Sequence, residues 1–203
     1  MNESIGSATS ESDELEERWP RDGDLLFIDG SWASDAHIVR DPKERFYRMP
    51  MGYMKAGDVL IERAIDDVVD RRNIVYAAVF CYRQSIELFL KHLIEEFPSG
   101  RGNRKLTHSL SALWNQFAEI AQERGRDHTI GLPAAEALIK EMDTADKKSD
   151  GFRFPADVNG APFVFGDRGI DLENLREVMH GLQNFFECAY LDFEHQDDTR
   201  LIR

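Results

Sequence analysis

Arg83, Glu87 and Lys91 stand four residues apart in a segment, Asn73 to Phe97, that contains no Gly or Pro before Pro98. On an ideal wheel of ~100° per residue they form one oblique stripe beside Tyr76, Phe80, Leu90 and Ile94. The stripe lies where the core face meets the polar face, and charges on a mostly buried helix are costly unless paired or put to use. One use is a ladder of i,i+4 ion pairs worth about 0.3 kcal/mol each. The other is a polar cleft between helices, with Arg83 and Lys91 available to an anionic ligand. His108, which follows a basic run at Arg101, Arg104 and Lys105, either caps a helix or faces the same cleft. Asp146, Ser149 and Arg153 surround the exit of a later helix. They serve as capping and turn residues there, or as further members of the cleft.

Other chemistries fare worse. Gly100-Arg101-Gly102 lacks the Lys-Ser/Thr of a phosphate loop, and no His/Cys/Asp/Glu set has zinc spacing. Glu136, Glu141, Asp143 and Asp146 lack the Glu-x-x-His pairs of a di-iron bundle, and His180 with Glu177 is a reversed, solitary version. No metal and no cofactor is expected.

Composition bounds the reading. The chain has 203 residues and a net charge of −13, enough for one core of ordinary size. Its first 18 residues set six carboxylates against Arg18 and are expected to be a disordered acidic tail. A protein this acidic is no generic phosphate binder, so RNA or nucleotide binding would need a local basic pocket. No basic start precedes an apolar run, and charges interrupt Ile74 to Phe97, so neither secretion nor a membrane span is expected. Cys81 and Cys188 fall in helical patterns and are expected to be small core residues in a reducing compartment. These observations together predict a cytoplasmic protein.

The elements that must position these residues are mostly helical. Residues 19–57 are mixed: Leu25 to Ile28 with Asp29-Gly30 suggests a strand entering a turn, and His37 to Val39 a weak partner strand. Phe46 to Met54, with Pro50 and Gly52, predicts an irregular arm. Five helices follow, over Asp58–Arg72, Asn73–Phe97, from Thr107 or His108, over Pro133–Lys148, and from Asp171 to about Phe193. The third carries Leu110, Leu113, Trp114, Phe117, Ile120 and Ala121 on one stripe, and the fourth Leu138, Ile139, Met142 and Ala145. The last has an apolar seam from Leu172 to Phe193 that needs a partner along its length. The expected fold is all-α, an up-and-down bundle over residues 58–195, with a small irregular or hairpin arm and a short tail at 196–203. The Asn73 helix sits at its centre. Phe152, Phe154 and Pro155 would plug its end.

Three segments carry a resemblance. Arg83-Gln84-Ser85-Ile86-Glu87-Leu88-Phe89-Leu90-Lys91 is similar to the second-helix pattern of HEPN (higher eukaryotes and prokaryotes nucleotide-binding) domains. Thr107-His108-Ser109-Leu110-Ser111-Ala112-Leu113 resembles the H-x-L-x-x-L that follows it there, and Phe152-Arg153-Phe154-Pro155 the R-Y-P piece before the final helix. The resemblance covers roughly residues 58–193. It implies a helical bundle that commonly pairs as a dimer and acts in RNA cleavage, nucleotide binding or prokaryotic defence and toxin systems. Catalytic members use an Arg and a His separated by four to six residues near the start of the last helix. The resemblance thereby points to Arg176 and His180, one turn apart in the last helix, but they have three residues between them, a departure from that motif. Arg101 and His108, with six residues between them, are a lesser candidate pair that precedes the third helix. In a ribonuclease without metal the His acts as general acid or base and the Arg stabilises the phosphorane-like transition state. Against this role, Glu177 and Asn184 suggest an ordinary solvated face.

The leading expectation is therefore a non-catalytic binding or interaction module, an accessory subunit in a defence or toxin–antitoxin setting. Arg83, Glu87, Lys91, His108, Asp146, Ser149 and Arg153 would form its polar cleft. A ribonuclease toxin using His180 and Arg176 is the first alternative, and a purely structural dimerisation domain the second. The partners implied are a second copy of the chain and a partner protein.

Overall fold

One residue, Asp67, separates the first two helices of this computed structural model, which describes residues 19–100, 106–165 and 169–201. Helix α1 runs Pro42–Asp66 and α2 Val68–Glu96. Asp67 is extended, and its Oδ1 accepts from the amides of Val69 (2.9 Å) and Asp70 (3.2 Å). These are donors that an α-helix leaves unsatisfied at its start. Backbone donation from Asp70 and Val69 holds the Asp67 carboxyl below its ordinary range. Arg71 closes the other side of the junction by donating to the α1 carbonyls of Ala64 (2.7 Å) and Ile65 (3.0 Å). Two long helices thus reverse direction with their ends satisfied, and they pack along much of their length.

The close packing has a requirement at Gly57. A Cβ there would sit 2.5 Å from Cε1 of Tyr82, so only glycine lets α1 approach this ring. Met54, Ile61 and Ala64 extend the same buried face of α1. That face corrects the expectation of an irregular arm at Phe46 to Met54, because Pro50 and Gly52 lie inside α1. Burial against α2 outweighs the two weak helix formers. Pro50 gains a compensating contact, as the buried Ser85 hydroxyl of α2 donates to its carbonyl (2.9 Å).

Helix α3 (Leu110–Glu123) starts at Ser109, whose hydroxyl accepts from Ala112 N (3.2 Å). Its predicted stripe from Leu110 to Ala121 is buried throughout. Helix α4 (Leu132–Ala145) follows Gly131, whose φ of 90° favours glycine. It buries Ala135, Ile139 and Asp143, while Ala145 is exposed. Helix α5 (Leu172–Leu201) is longer than its apolar seam predicts, continuing past Phe193 through a charged turn. Arg124 holds Asp197 there with two hydrogen bonds (2.8 and 3.0 Å), and Arg126 holds Asp192 just before Phe193 (2.5 and 2.7 Å).

The result is an all-α bundle, with α2 packed on α1, α3 and α5 and α4 packed on α3. Its core gathers Tyr82, Ile86, Leu90 and Leu93 of α2 with Trp114 and Phe117 of α3 and Phe186 and Phe193 of α5. Each large apolar side chain buried in this way contributes about 1.5–3 kcal/mol. No strand forms among the described residues; a single bridge, Ala156 with Pro162, is present. Leu25 to Ile28 are exposed and unpaired, so the expected hairpin is absent. Phe152 is buried and stacks on Phe165 (4.6 Å between centroids), whereas Phe154 is exposed and plugs nothing. Cys81 is half-buried and Cys188 is exposed, so neither is the core cysteine expected. The chain divides into two units, residues 1–38 and 39–203, a boundary well before the expected residue 58. In the first, hydrogen-bonded turns at Arg21–Asp24 and Ser31–Asp35 flank the exposed Leu25 to Ile28. Residues 1–18, and the basic run with Arg101, lie outside the described residues.

Candidate functional site

Glu87, 1% exposed, is the focus of the polar residues singled out on α2. Its Oε2 accepts from Arg83 Nη1 (2.8 Å), while Oε1 accepts from Lys91 Nζ (2.7 Å) and meets His108 Nδ1 (2.9 Å). The i,i+4 spacing of α2 supplies the first two partners, and the start of α3 supplies the third. Burial pushes the Glu87 carboxyl up, but the hydrogen bonds from Lys91 and Arg83 outweigh it and hold it below its ordinary range. It is therefore ionised at neutral pH.

Arg83 is fully buried and spends each of its remaining edges on a different part of the chain. Nε donates to the Asp146 carbonyl (3.0 Å) and lies 3.5 Å from Asp146 Oδ2. Nη2 donates to the His108 carbonyl (2.6 Å). One guanidinium thus joins α2 to the approach of α3 and to the C-terminal end of α4, using the fork geometry peculiar to arginine. Asp146 Oδ2 has no hydrogen bond among the described residues, so its link to Arg83 is electrostatic. Its Oδ1 accepts from the amides of Asp150 (2.8 Å) and Gly151 (3.0 Å), fixing the loop after α4.

Ser149 and Arg153 stand one step further out. Ser149 is buried with φ 63°, left-handed and uncommon for a residue other than glycine. Its amide contacts the Asp146 carbonyl, and its own carbonyl accepts from Arg153 Nε. Arg153 also holds Asp150 Oδ1 (2.8 Å) and lies over the rings of Phe80 (5.7 Å) and Phe154 (5.2 Å). Direct contacts therefore unite Arg83, Glu87, Lys91, His108 and Asp146, while Ser149 and Arg153 support the loop that holds Asp146. Exposure rises across the group, from 0% for the Arg83 side chain through 14% for Lys91 to 75% for His108. The inner part is closed. Its rim is a lysine and an imidazole on one shared carboxylate oxygen.

Arg176 and His180 join none of this. His180, 51% exposed, places Nε2 3.0 Å from Asp58 Oδ1, and Arg176 lies 3.5 Å from Glu62. Both partners belong to α1. Asp58 Oδ1 also accepts from the Tyr82 hydroxyl (2.9 Å). Burial, followed by this bond to a carboxylate, raises the Tyr82 phenol well above its ordinary range.

Several participants were not foreseen. Asp58 and Tyr82 give no sequence signal pointing to His180, because 122 and 24 residues separate the bonded pairs. Asp143 uses Oδ1 to accept from Leu110 N (2.8 Å), capping α3 from a distance. An acid on the inner stripe of α4, between Ile139 and Asp146, was the available hint. His92, buried with an unpartnered Nε2 among the described residues, had none beyond its place on an apolar helix. Comparisons of the chain with protein-family models, curated proteins and solved structures found no match.

Proposed function

We propose that the bundle is a non-catalytic, HEPN-like binding module whose polar rim at Lys91 and His108 receives an anionic group of its ligand or partner. The observation that carries this reading is the convergence of Arg83, Lys91 and His108 on Glu87, graded from buried to exposed. The closed inner part gives the rim a rigid base, since Arg83 locks α2, α3 and α4 together. The three HEPN-like segments support the same reading: two contribute Arg83, Glu87, Lys91 and His108, and the third contributes Arg153. Residence in the cytoplasm as an accessory subunit of a defence or toxin–antitoxin system belongs to this proposal. No helix of the described residues is long and apolar enough to cross a membrane.

Thermal unfolding with inorganic phosphate and AMP as probes tests the idea. A ligand at one hundred times its Kd stabilises by about 2.7 kcal/mol, a melting shift of several degrees. The shift should appear in the native protein and vanish in Lys91→Ala and His108→Ala, each read against its own baseline. If neither probe shifts the native protein, the anion-binding reading fails.

The ribonuclease reading is favoured by one observation. His180 is held by Asp58, which is itself fixed by Tyr82, so the imidazole is oriented one turn from Arg176. Glu62 near Arg176 weighs against it, because it compensates the charge needed at a transition state. RNA left intact by the purified protein, and equal growth on expressing the native chain and His180→Ala, would remove this alternative. Pairing as a homodimer is supported by an apolar groove of about 930 Å³ between α4 and α5, lined by Leu132, Leu138, Val178 and Phe185. A sedimentation profile that stays monomeric at high concentration contradicts the dimer.

A further inference from the structure

On the face of α2 turned away from Glu87, helices α1, α2 and α5 line a half-open cavity of about 300 Å³. That volume is at the small end of ligand pockets. Its walls are aromatic: Tyr47 of α1, Phe89 of α2, and Phe186 and Tyr190 of α5. The rings are fixed by one another. Phe89 stacks on Phe186 (5.3 Å, 18°), and the His92 ring is stacked on Tyr190 (5.2 Å, 15°) and met edge-on by Tyr47 (6.5 Å, 66°).

His92 is 8% exposed, and its Nε2 has no hydrogen-bond partner among the described residues. A buried polar atom without a partner is uncommon and costs free energy. Burial lowers the His92 pKa below its ordinary value, with Glu96 opposing, which keeps the ring neutral. It is thus a hydrogen-bonding group and not a positive charge.

The remaining polarity is negative. Glu187 lines the cavity and accepts from Gln183 Nε2 (2.8 Å), a neutral donor that leaves the carboxylate its charge. Glu96 and Glu194 act on the same corner: burial raises the Tyr190 phenol, and both carboxylates raise it further. Lys43 lies 3.6 Å from Glu96, but its side chain is 80% exposed and reaches in from solvent. Aromatic rings, a carboxylate at the wall and a neutral imidazole together disfavour anions. They favour a cation whose charge is spread over carbon, because such a group loses little hydration on entering an aromatic enclosure. A metal ion is a poor fit, as the described residues gather no group of three or more metal-binding side chains.

We infer that the cavity bounded by Tyr47, Phe89, Phe186 and Tyr190, with Glu187 and His92 in its lining, is a binding site for a quaternary or methylated ammonium group. The aromatic rings attract the cation and Glu187 balances its charge. This site is separate from the Lys91–His108 rim and prefers the opposite charge, so either can fail without the other.

The test is calorimetric titration of the full-length protein with choline and with 3,3-dimethylbutan-1-ol, its neutral isostere. Choline should bind saturably and at least about tenfold more tightly than the alcohol, a difference of about 1.4 kcal/mol. Glu187→Gln, at the cavity wall, should weaken choline several-fold and leave the alcohol unchanged. Tyr190→Leu should weaken choline about tenfold or more. Circular dichroism would check that each variant keeps its helices. Equal binding of the two probes, no saturable choline binding, or choline affinity unaltered by Glu187→Gln would overturn the inference.

Discussion

The two faces of α2 solve the same difficulty in opposite ways. On one, a charged residue is buried and survives because three partners reach it: Arg83, Lys91 and His108 all meet Glu87. On the other, five residues later, His92 is buried with a nitrogen unpartnered among the described residues, and it survives by staying neutral between two tyrosines. Burial opposes charge in both places. What differs is whether the neighbouring helices bring donors or rings. The α3 and α4 side brings backbone carbonyls and side chains with fixed geometry, and the α1 and α5 side brings aromatic surface. One face therefore holds the bundle together, and the other lines a cavity.

The sharpest way to break this contrast is Glu87→Ala. It leaves Arg83 buried without its carboxylate and should cost about 3–5 kcal/mol in urea unfolding. A loss below about 1 kcal/mol would mean that the network is not what ties α2 to α3 and α4. His92→Leu is the counter-experiment. It removes an unsatisfied polar atom of similar volume, so stability should stay level or rise by about 1 kcal/mol. A large loss would show that His92 has a partner after all.

Acidification separates the two faces by pH. The depressed His92 pKa means that the unfolded chain binds the proton more readily. Stability present above the ordinary imidazole value, about 6.5, is lost as pH falls through it towards the folded value. The depressed Glu87 acts in the same direction but lower, its contribution being lost below the ordinary carboxylate value of about 4.3. Chemical denaturation across pH 3–8 should accordingly show an upper step abolished in His92→Leu and a lower one abolished in Glu87→Gln. The smallest effect is expected outside both faces. His180→Ala breaks a half-exposed pair with Asp58 and should cost no more than about 1 kcal/mol. A larger loss would place the His180–Asp58–Tyr82 contact among the structural ties.

The contrast also separates what was legible in the chain from what was not. The stripe of Arg83, Glu87 and Lys91 follows from α-helical spacing, which depends on neighbours three and four residues away. The same local rule outlines α3, whose whole predicted stripe is buried. It misreads Phe46 to Met54, because Pro50 and Gly52 are locally unfavourable and their helix is secured by packing on distant α2. Gly57 makes the point again: its absent side chain is needed for a ring 25 residues later, at Tyr82.

The helical periodicity of an acidic chain and the placing of its charges along α2 were thus properties of the residues in order. Which groups share a hydrogen bond was not, since Arg83 finds Asp146 at a separation of 63 residues and His180 finds Asp58 at 122. Nor was the fate of His92, whose two flanking tyrosines come from α1 and α5. The physical reason is range. Backbone hydrogen bonding and side-chain spacing act over a turn or two, whereas the partner of a buried charge depends on how whole helices settle against one another.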